Sequence, residues 1–327
     1  MPFYDCLEKK GASNPVESGK GNHQLNPNYI TGFVDGEGCF HITIAKKTGY
    51  KTGYSVNLSF SIGLHSKDAD LLRTIQAYFG GIGILSVTGS TVLWRVLSVK
   101  ELMVIINHFD QYPLITKKRL DFILFKEAFQ LFIHKEHLTP YGLIKMASIK
   151  ASINKGLSIN LKEAFPTAKI IDPSSLPSKG LIDVKEGKSI NPYWVAGFTE
   201  AEGCFFVITP EGGKSKASYS IRIGYQVSQD KRDQSLIKSL KDFFECGRTE
   251  PSGKAAICFR VTKFNNITEN IIPFFENYPI LGSKLKDFKD WKEVAKLMAS
   301  KAHLTPEGLN EIKNIKSGMN SLRVIEA

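Results

Sequence analysis

From Ser55 to Leu64 the chain alternates without a break: Ser55, Asn57, Ser59, Ser61 and Gly63 against Val56, Leu58, Phe60, Ile62 and Leu64. A period of two predicts an antiparallel strand with one buried and one wet face. The pattern returns later, with Ser220, Arg222, Gly224, Gln226 and Ser228 against Tyr219, Ile221, Ile223, Tyr225 and Val227. A basic turn precedes each strand (residues 46–54 and 212–216), and residues 39–45 predict the strand that pairs with the first. After each long strand the spacing predicts a helix (67–79, 231–244), then a hairpin ending at 93–97 or 257–262. A further helix closes on HFDQYPL (108–114) or FFENYPI (274–280), and two more helices are separated by KEHLTP (135–140) or KAHLTP (301–306). The expected fold is α+β: two pseudo-twofold-related αββαββα-type domains in one chain, each with an antiparallel sheet.

The repeat is most detailed at ITGFVDGEG (30–38) and VAGFTEAEG (195–203), whose first glycines, Gly32 and Gly197, lie 165 positions apart. Each copy follows an Asn-Pro and runs into GCFHITI or GCFFVIT. Each reads as a short helix: Pro27 or Pro192 near the start, where a missing N–H costs nothing, and Gly38 or Gly203 at the end. Gly32 and Gly36, like Gly197 and Ala201, fall four apart on one face, so the two helices are expected to pack closely on each other. Asp35, Glu37, Glu200 and Glu202 then sit in the last helical turns, where the dipole disfavours negative charge. Packing would bring Glu37 beside Glu202, and a divalent cation held by oxygen ligands is the natural offset. Read from one copy alone, the lesser alternative is that these acids are merely solvated helix ends.

Charge points to the partner. With 43 Lys+Arg against 32 Asp+Glu, the formal net charge of +11 favours a polyanion, most simply nucleic acid, with ribosomal or membrane-surface attachment also compatible. Five cysteines without a C-x-x-C pair argue against a disulfide framework or a zinc knuckle. Cys39 and Cys204, at matched positions, read as small core hydrophobes. His41, His65, His108, His134, His137 and His303 are scattered, with His137 and His303 expected as helix caps. No apolar run approaches a membrane span. Residues 1–24 read as a flexible leader, 25–155 and 190–320 as the two domains, 156–189 as a Pro/Ser-containing linker with one helical turn near 161–165, and 321–327 as a tail.

The paired motifs resemble those of single-chain LAGLIDADG homing endonucleases, in particular the intron-encoded mitochondrial group that includes I-OnuI, over roughly residues 24–320. The resemblance implies a monomer that cuts a long, asymmetric double-stranded DNA site. The two sheets would form a DNA-binding saddle, with cutting across the minor groove leaving 3′ overhangs. It assigns Glu37 and Glu202 as metal ligands, helped by the carbonyls of Gly36 and Ala201, around two or three Mg²⁺ ions; Mn²⁺ would substitute, and Ca²⁺ would support binding with little or no cutting. Lys118 and Lys284, five residues after the proline of each Tyr-Pro segment, would lie by the scissile phosphates. Gln229 would order a water at the end of the second long strand, where the first half has Leu64. Lys263, opposite Ser98, is a weaker active-site candidate. Asp35 and Glu200 are expected to be structural.

For the DNA interface the expected residues are Lys46, Lys47, Lys51, Lys214 and Lys216 on phosphates. Ser55, Asn57, Ser59, Ser61, Ser220, Arg222, Gln226 and Ser228 would face the bases, since a β-ribbon fits the major groove. Two alternatives stay open at this point. One is a maturase that binds its host intron RNA, and the other is a DNA-binding relic that no longer cuts. Mitochondrial location follows from the resemblance alone.

Overall fold

A computed structural model describes residues 25–173, 176, 190–209 and 221–320. The expected leader, the tail, residues 174, 175 and 177–189 of the linker, and the basic turn with Lys214, Lys216 and Ser220 lie outside those residues.

Helix α1 (Pro27–Glu37) starts at Asn26, whose side chain accepts the Asn28 N–H, with Pro27 at the first turn. Its counterpart α7 (Pro192–Glu202) starts the same way at Asn191. Each runs straight into a strand, β1 (Gly38–Lys46) or β5 (Gly203–Ile208). Gly38 ends α1 as expected, with φ −73°, outside the left-handed region that favours glycine. The glycine is needed for space instead: a Cβ on Gly203 would come within 2.6 Å of the Thr199 carbonyl oxygen, and one on Gly38 would overlap Val34.

In the first half, β1 pairs antiparallel with β2 (Tyr54–His65), Phe40 opposite Phe60. Helix α2 (Ala69–Tyr78) leads to β3 (Ile84–Thr88) and β4 (Thr91–Val96), giving the sheet order β1-β2-β4-β3. Three helices follow, α3 (Val99–Gln111), α4 (Lys118–Ile133) and α5 (Pro140–Ser152). A short α6 (Ile159–Ala164) covers the helical turn expected in the linker.

The second half repeats the plan. Here β5 pairs with β6 (Arg222–Asp230), then come α8 (Gln234–Phe243), β7 (Arg248–Ser252) and β8 (Ala256–Val261), in the order β5-β6-β8-β7. The helices are α9 (Phe264–Asn266), α10 (Ile272–Asn277), α11 (Lys284–Ala299) and α12 (Pro306–Ser317).

The buried cores match ring for ring. Phe40 packs on Phe60 and Phe125 at 5.2 and 5.3 Å, and Phe205 on Tyr225 and Trp291 at 5.4 and 5.1 Å. One local difference has a simple cause. Counterparts lie 165 positions apart as far as Val96 and Val261, but 166 apart from Tyr112 and Tyr278 onward. The extra residue is taken up by a π-helical turn, Ile267–Ile271, between α9 and α10. It leaves the Tyr-Pro segment and Lys284 in the same place as their partners.

The caps of α5 and α12 correct a second expectation. Thr139 and Thr305 accept the N–H groups of Gly142 and Gly308, whereas His137 stacks on Phe132 with ring centroids 4.3 Å apart.

Candidate functional site

Helices α1 and α7 cross with their backbones in contact. A Cβ on Gly32 would overlap the carbonyl oxygen of Trp194, one on Gly197 the carbonyl oxygen of Tyr29, and one on Gly36 the Cβ of Ala201. That closeness brings the C-terminal turns of both helices, with all four acids, to one end of the seam.

The four acids separate into two kinds. Asp35 and Glu200 are buried, 1% and 7% exposed, and receive the N–H groups that open the next lysine-bearing helix. Asp35 accepts from the Ile115 and Thr116 N–H groups at 3.0 and 3.2 Å and from the Thr116 hydroxyl at 2.5 Å. Glu200 accepts from the Leu281 and Gly282 N–H groups at 2.9 and 2.8 Å. Each also takes one bond across the seam: Trp194 Nε1 donates to Asp35 at 2.7 Å, and Tyr29 Oη to Glu200 at 3.0 Å. The longer Glu200 fits because its loop has glycine where the first half has Thr116; a Cβ on Gly282 would lie 2.7 Å from Glu200 Oε1. Burial raises the pKa of both carboxyls, opposed chiefly by the Thr116 hydroxyl for Asp35 and the Gly282 N–H for Glu200. These two acids are anchors.

Glu37 and Glu202 are half-buried and take no part in holding those helix starts. Burial raises both pKa values; the charge of Glu202 pushes Glu37 further up, and Lys118 and Lys284 oppose the rise at both. Lys118 and Lys284 are themselves half-buried at the seam, and desolvation lowers their pKa. Lys118 Nζ donates to the carbonyls of Val34 and Gly36 at 2.9 and 2.7 Å. Lys284 Nζ donates to Thr199, Glu200 and Ala201 at 2.9, 2.7 and 3.3 Å. The lysines thus cap the helix C-termini and offset the unfavourable place of the acids before any cation is considered.

Two cavities open at this end, and each is built from both halves. One, of about 560 Å³, is lined by Glu37 and Leu64 from the first half and by Ala201 and Lys284 from the second. The other, of about 390 Å³, is lined by Glu202 and Gln229 from the second half and by Gly36 and Lys118 from the first. The Gln229 amide hydrogen-bonds Glu202 and favours its ionised form. Lys263 is exposed at the head of α9 and lines neither cavity.

No cluster of three His, Cys, Asp or Glu side chains arranged for a metal occurs among the described residues. What the seam offers is a pair of carboxylates with the carbonyls of Gly36 and Ala201. This all-oxygen donor set fits a hard divalent cation that completes its shell with water or phosphate.

The sheet faces lie beyond the cavities. Lys46, Lys47, Lys51, Asn57 and Arg222 are exposed, and Ser55, Ser59, Gln226 and Ser228 are half-buried. Ser61 is only 6% exposed, its hydroxyl 2.9 Å from His41 Nε2. Gln226 accepts from Arg260 Nη2 at 2.8 Å, and Arg260 pairs with Glu250 at 2.7 Å. On the same face the Phe206 ring covers Gly224, an apolar contact that the alternation did not indicate.

Sequence reasoning also missed Asp68 and Asp233. Each lies in a cavity, and they occupy matched repeat positions, which was the available signal. Burial pushes the Asp233 carboxyl up from its ordinary 3.8 to about 6, against the opposing Lys117 N–H. A folded-state pKa raised in this way gives stability that is present below the unfolded value and lost as pH climbs through the folded one. Wild-type protein should therefore lose stability between about pH 4 and 6 through this group. Asp233→Asn, measured by thermal melting across that range, should lose less; an unchanged profile would contradict the assignment.

The chain matches the LAGLIDADG endonuclease family over residues 30–129 and 195–295. Probable intron-encoded endonuclease 2 of Neurospora crassa is 40% identical over 301 residues, 90% of this chain and 65% of that protein. Probable intron-encoded endonuclease 3 of the same fungus is 36% identical over 292 residues, 88% of this chain and 53% of that protein. This chain therefore spans between half and two thirds of the length of these curated relatives. The crystal structure of the I-SmaMI LAGLIDADG homing endonuclease bound to cleaved DNA is 40% identical, with a TM-score of 0.85 over 93% of this chain and 100% of that one. The structure of I-SmaMI bound to an uncleaved DNA target in the presence of calcium ions is also 40% identical, with a TM-score of 0.84 over 90% and 99%. With both motifs matched and the two halves packed through them, the chain belongs to the LAGLIDADG endonuclease family.

Proposed function

We propose that this chain is a site-specific DNA endonuclease. It would hydrolyse one phosphodiester on each strand of a long, non-palindromic duplex and leave 3′ overhangs, in service of intron mobility. The observation that carries this reading is the composition of the two cavities: each joins a carboxylate from one half to a carbonyl and a lysine from the other, so neither half is complete alone. Two such sites at one seam would serve the two backbones of a duplex. A bound divalent cation, Mg²⁺ by preference, would supply a polarised phosphate and a water acidic enough to attack.

The protein's own groups do the rest. Glu37 and Glu202 would hold the cations through their carboxylates. Lys118 and Lys284 place positive charge where negative charge grows on the phosphate. Gln229 is set to orient a water beside Glu202, whereas Leu64 at the matched place makes no hydrogen bond, so the two strands are expected to be cut at unequal rates. The protein would act as a monomer because both halves are already present. We infer a mitochondrial location from the resemblance and from relatives named for introns.

The sheets would supply affinity and sequence reading. Lys46, Lys47 and Lys51 would take phosphates, and Asn57, Arg222, Gln226 and their neighbours would meet base edges. Lys47→Ala should lower the slope of log affinity against log salt concentration by about 1, with little change in the preferred sequence. Salt titration of binding checks this; an unchanged slope would remove Lys47 from the interface.

The reading itself is tested with a plasmid carrying the joined exon sequence from around the gene's insertion site. A single double-strand break with 3′ overhangs in Mg²⁺, and binding without cutting in Ca²⁺, is expected. Tight binding with no cutting in any divalent metal would instead favour the RNA maturase or the cleavage-inactive binder.

A further inference from the structure

Each lysine-bearing helix is held at its start by two acids, one from each half. Within its own half, Asp35 serves α4 and Glu200 serves α11, as described above. The second acid comes from across the seam. Asp68 Oδ1 accepts the Ser283 N–H at 2.7 Å, and its Oδ2 accepts the Ser283 hydroxyl at 3.1 Å. Asp233 Oδ1 accepts the Lys117 N–H at 2.7 Å. Ser283 and Lys117 immediately precede Lys284 and Lys118.

The chemistry of the position sharpens the point. Asp68 and Asp233 are the N-cap residues of α2 and α8, where an aspartate ordinarily binds the N–H groups of its own helix. Neither does so here. The short turns before those helices are capped instead by His65 Nδ1, accepting from Lys67, and by Asp230, accepting from Arg232. Both aspartates are thus released to reach the other half. The two contacts are related by the same pseudo-twofold as the rest of the fold, and each falls inside one cavity: Asp68 with Lys284 and Glu37, Asp233 with Lys118 and Glu202.

We propose that Asp68 and Asp233 are positioning residues, each setting the lysine contributed by the opposite half to the cavity it lines, so that each governs the cutting of one strand. The assignment rests on the endonuclease reading above. It adds that the two half-sites are aligned by a reciprocal exchange of caps, and that this alignment can be disturbed on one strand at a time. Displacing a reacting group by about 1 Å costs roughly 10²-fold in rate. Loss of a cap that fixes the helix start should therefore slow one strand by about 10- to 100-fold.

The test uses full-length protein and the joined-exon duplex, labelled separately on each strand, in Mg²⁺, with affinity measured in parallel in Ca²⁺. Asp68→Ala and Asp233→Ala are expected to slow opposite strands, so that duplex cut on one strand only accumulates, while affinity stays within a few-fold of wild type. Asp233→Asn, which keeps an acceptor oxygen for the Lys117 N–H, should recover most of the lost rate. Ser283→Ala removes only the hydroxyl bond and should slow the same strand as Asp68→Ala, more mildly; it keeps the proposal testable if the alanine variants fold poorly. Equal slowing of both strands, or no slowing of either, would overturn the assignment. Failure of the wild type to cut at all would overturn the endonuclease reading instead, so the two failures are distinct.

Discussion

Gly197→Ala is expected to melt at least about 4 °C below the wild type. Its Cβ would overlap the carbonyl oxygen of Tyr29 and lie 2.8 and 3.0 Å from Tyr29 C and Phe33 N, all backbone atoms of the facing helix. Backbone cannot rotate out of the way as a side chain can, so α1 and α7 must separate. Overpacking a core costs about 1–3 kcal/mol even where side chains can yield. Here separation also weakens the bonds from Tyr29 to Glu200 and from Trp194 to Asp35, so the cost should reach about 3 kcal/mol or more. For a chain of 327 residues that corresponds to a fall of roughly 4 °C or more. Gly63→Ala is the control: its Cβ would meet only Leu93 Cδ1, at 3.6 Å, and its melting point should stay near that of the wild type. A Gly197→Ala protein melting within about 2 °C of wild type would contradict the close seam.

Glu37→Gln and Glu202→Gln should each cut at least about 10²–10³-fold more slowly, the scale seen when a group stabilising developing charge is removed. Glutamine keeps the shape but holds a divalent cation poorly, and neither side chain belongs to the sheet faces. Affinity for duplex in Ca²⁺ should accordingly change far less than the cutting rate. A second effect follows from electrostatics. Burial, and then the charge of Glu202, hold the Glu37 carboxyl above its ordinary range, so the metal-free wild type loses stability as pH rises through that group's titration. Glu37→Gln lacks this loss and should melt higher than wild type at neutral pH without metal. Cleavage at the wild-type rate in either variant would remove that residue from the site.

The parts of this site legible in the sequence are those written locally. Alternation from Ser55 to Leu64 gave β2 and its buried face, because a half-buried strand must present its apolar residues every second position. The Gly32/Gly36 and Gly197/Ala201 spacing gave the seam, because only small residues permit such an approach. The two lysines were legible through the repeat. What escaped depends on contacts between the halves. Asp68 reaches Ser283 across 215 positions and Asp233 reaches Lys117 across 116, distances no periodicity encodes. The lysines' hold on the helix C-termini was missed for the same reason, so a cation alone was credited with offsetting the acids. The π turn at Ile267–Ile271, by contrast, had a readable cause in the change of repeat offset from 165 to 166.

The most direct measurement of the central claim, a pair of metal sites each built from both halves, is the anomalous scattering of Mn²⁺ in crystals of the protein bound to its duplex. The account predicts Mn²⁺ density against the carboxylates of Glu37 and Glu202, within reach of the Gly36 and Ala201 carbonyls and a phosphate of each strand. Density absent from the seam, or confined to sites elsewhere on the protein, would contradict it.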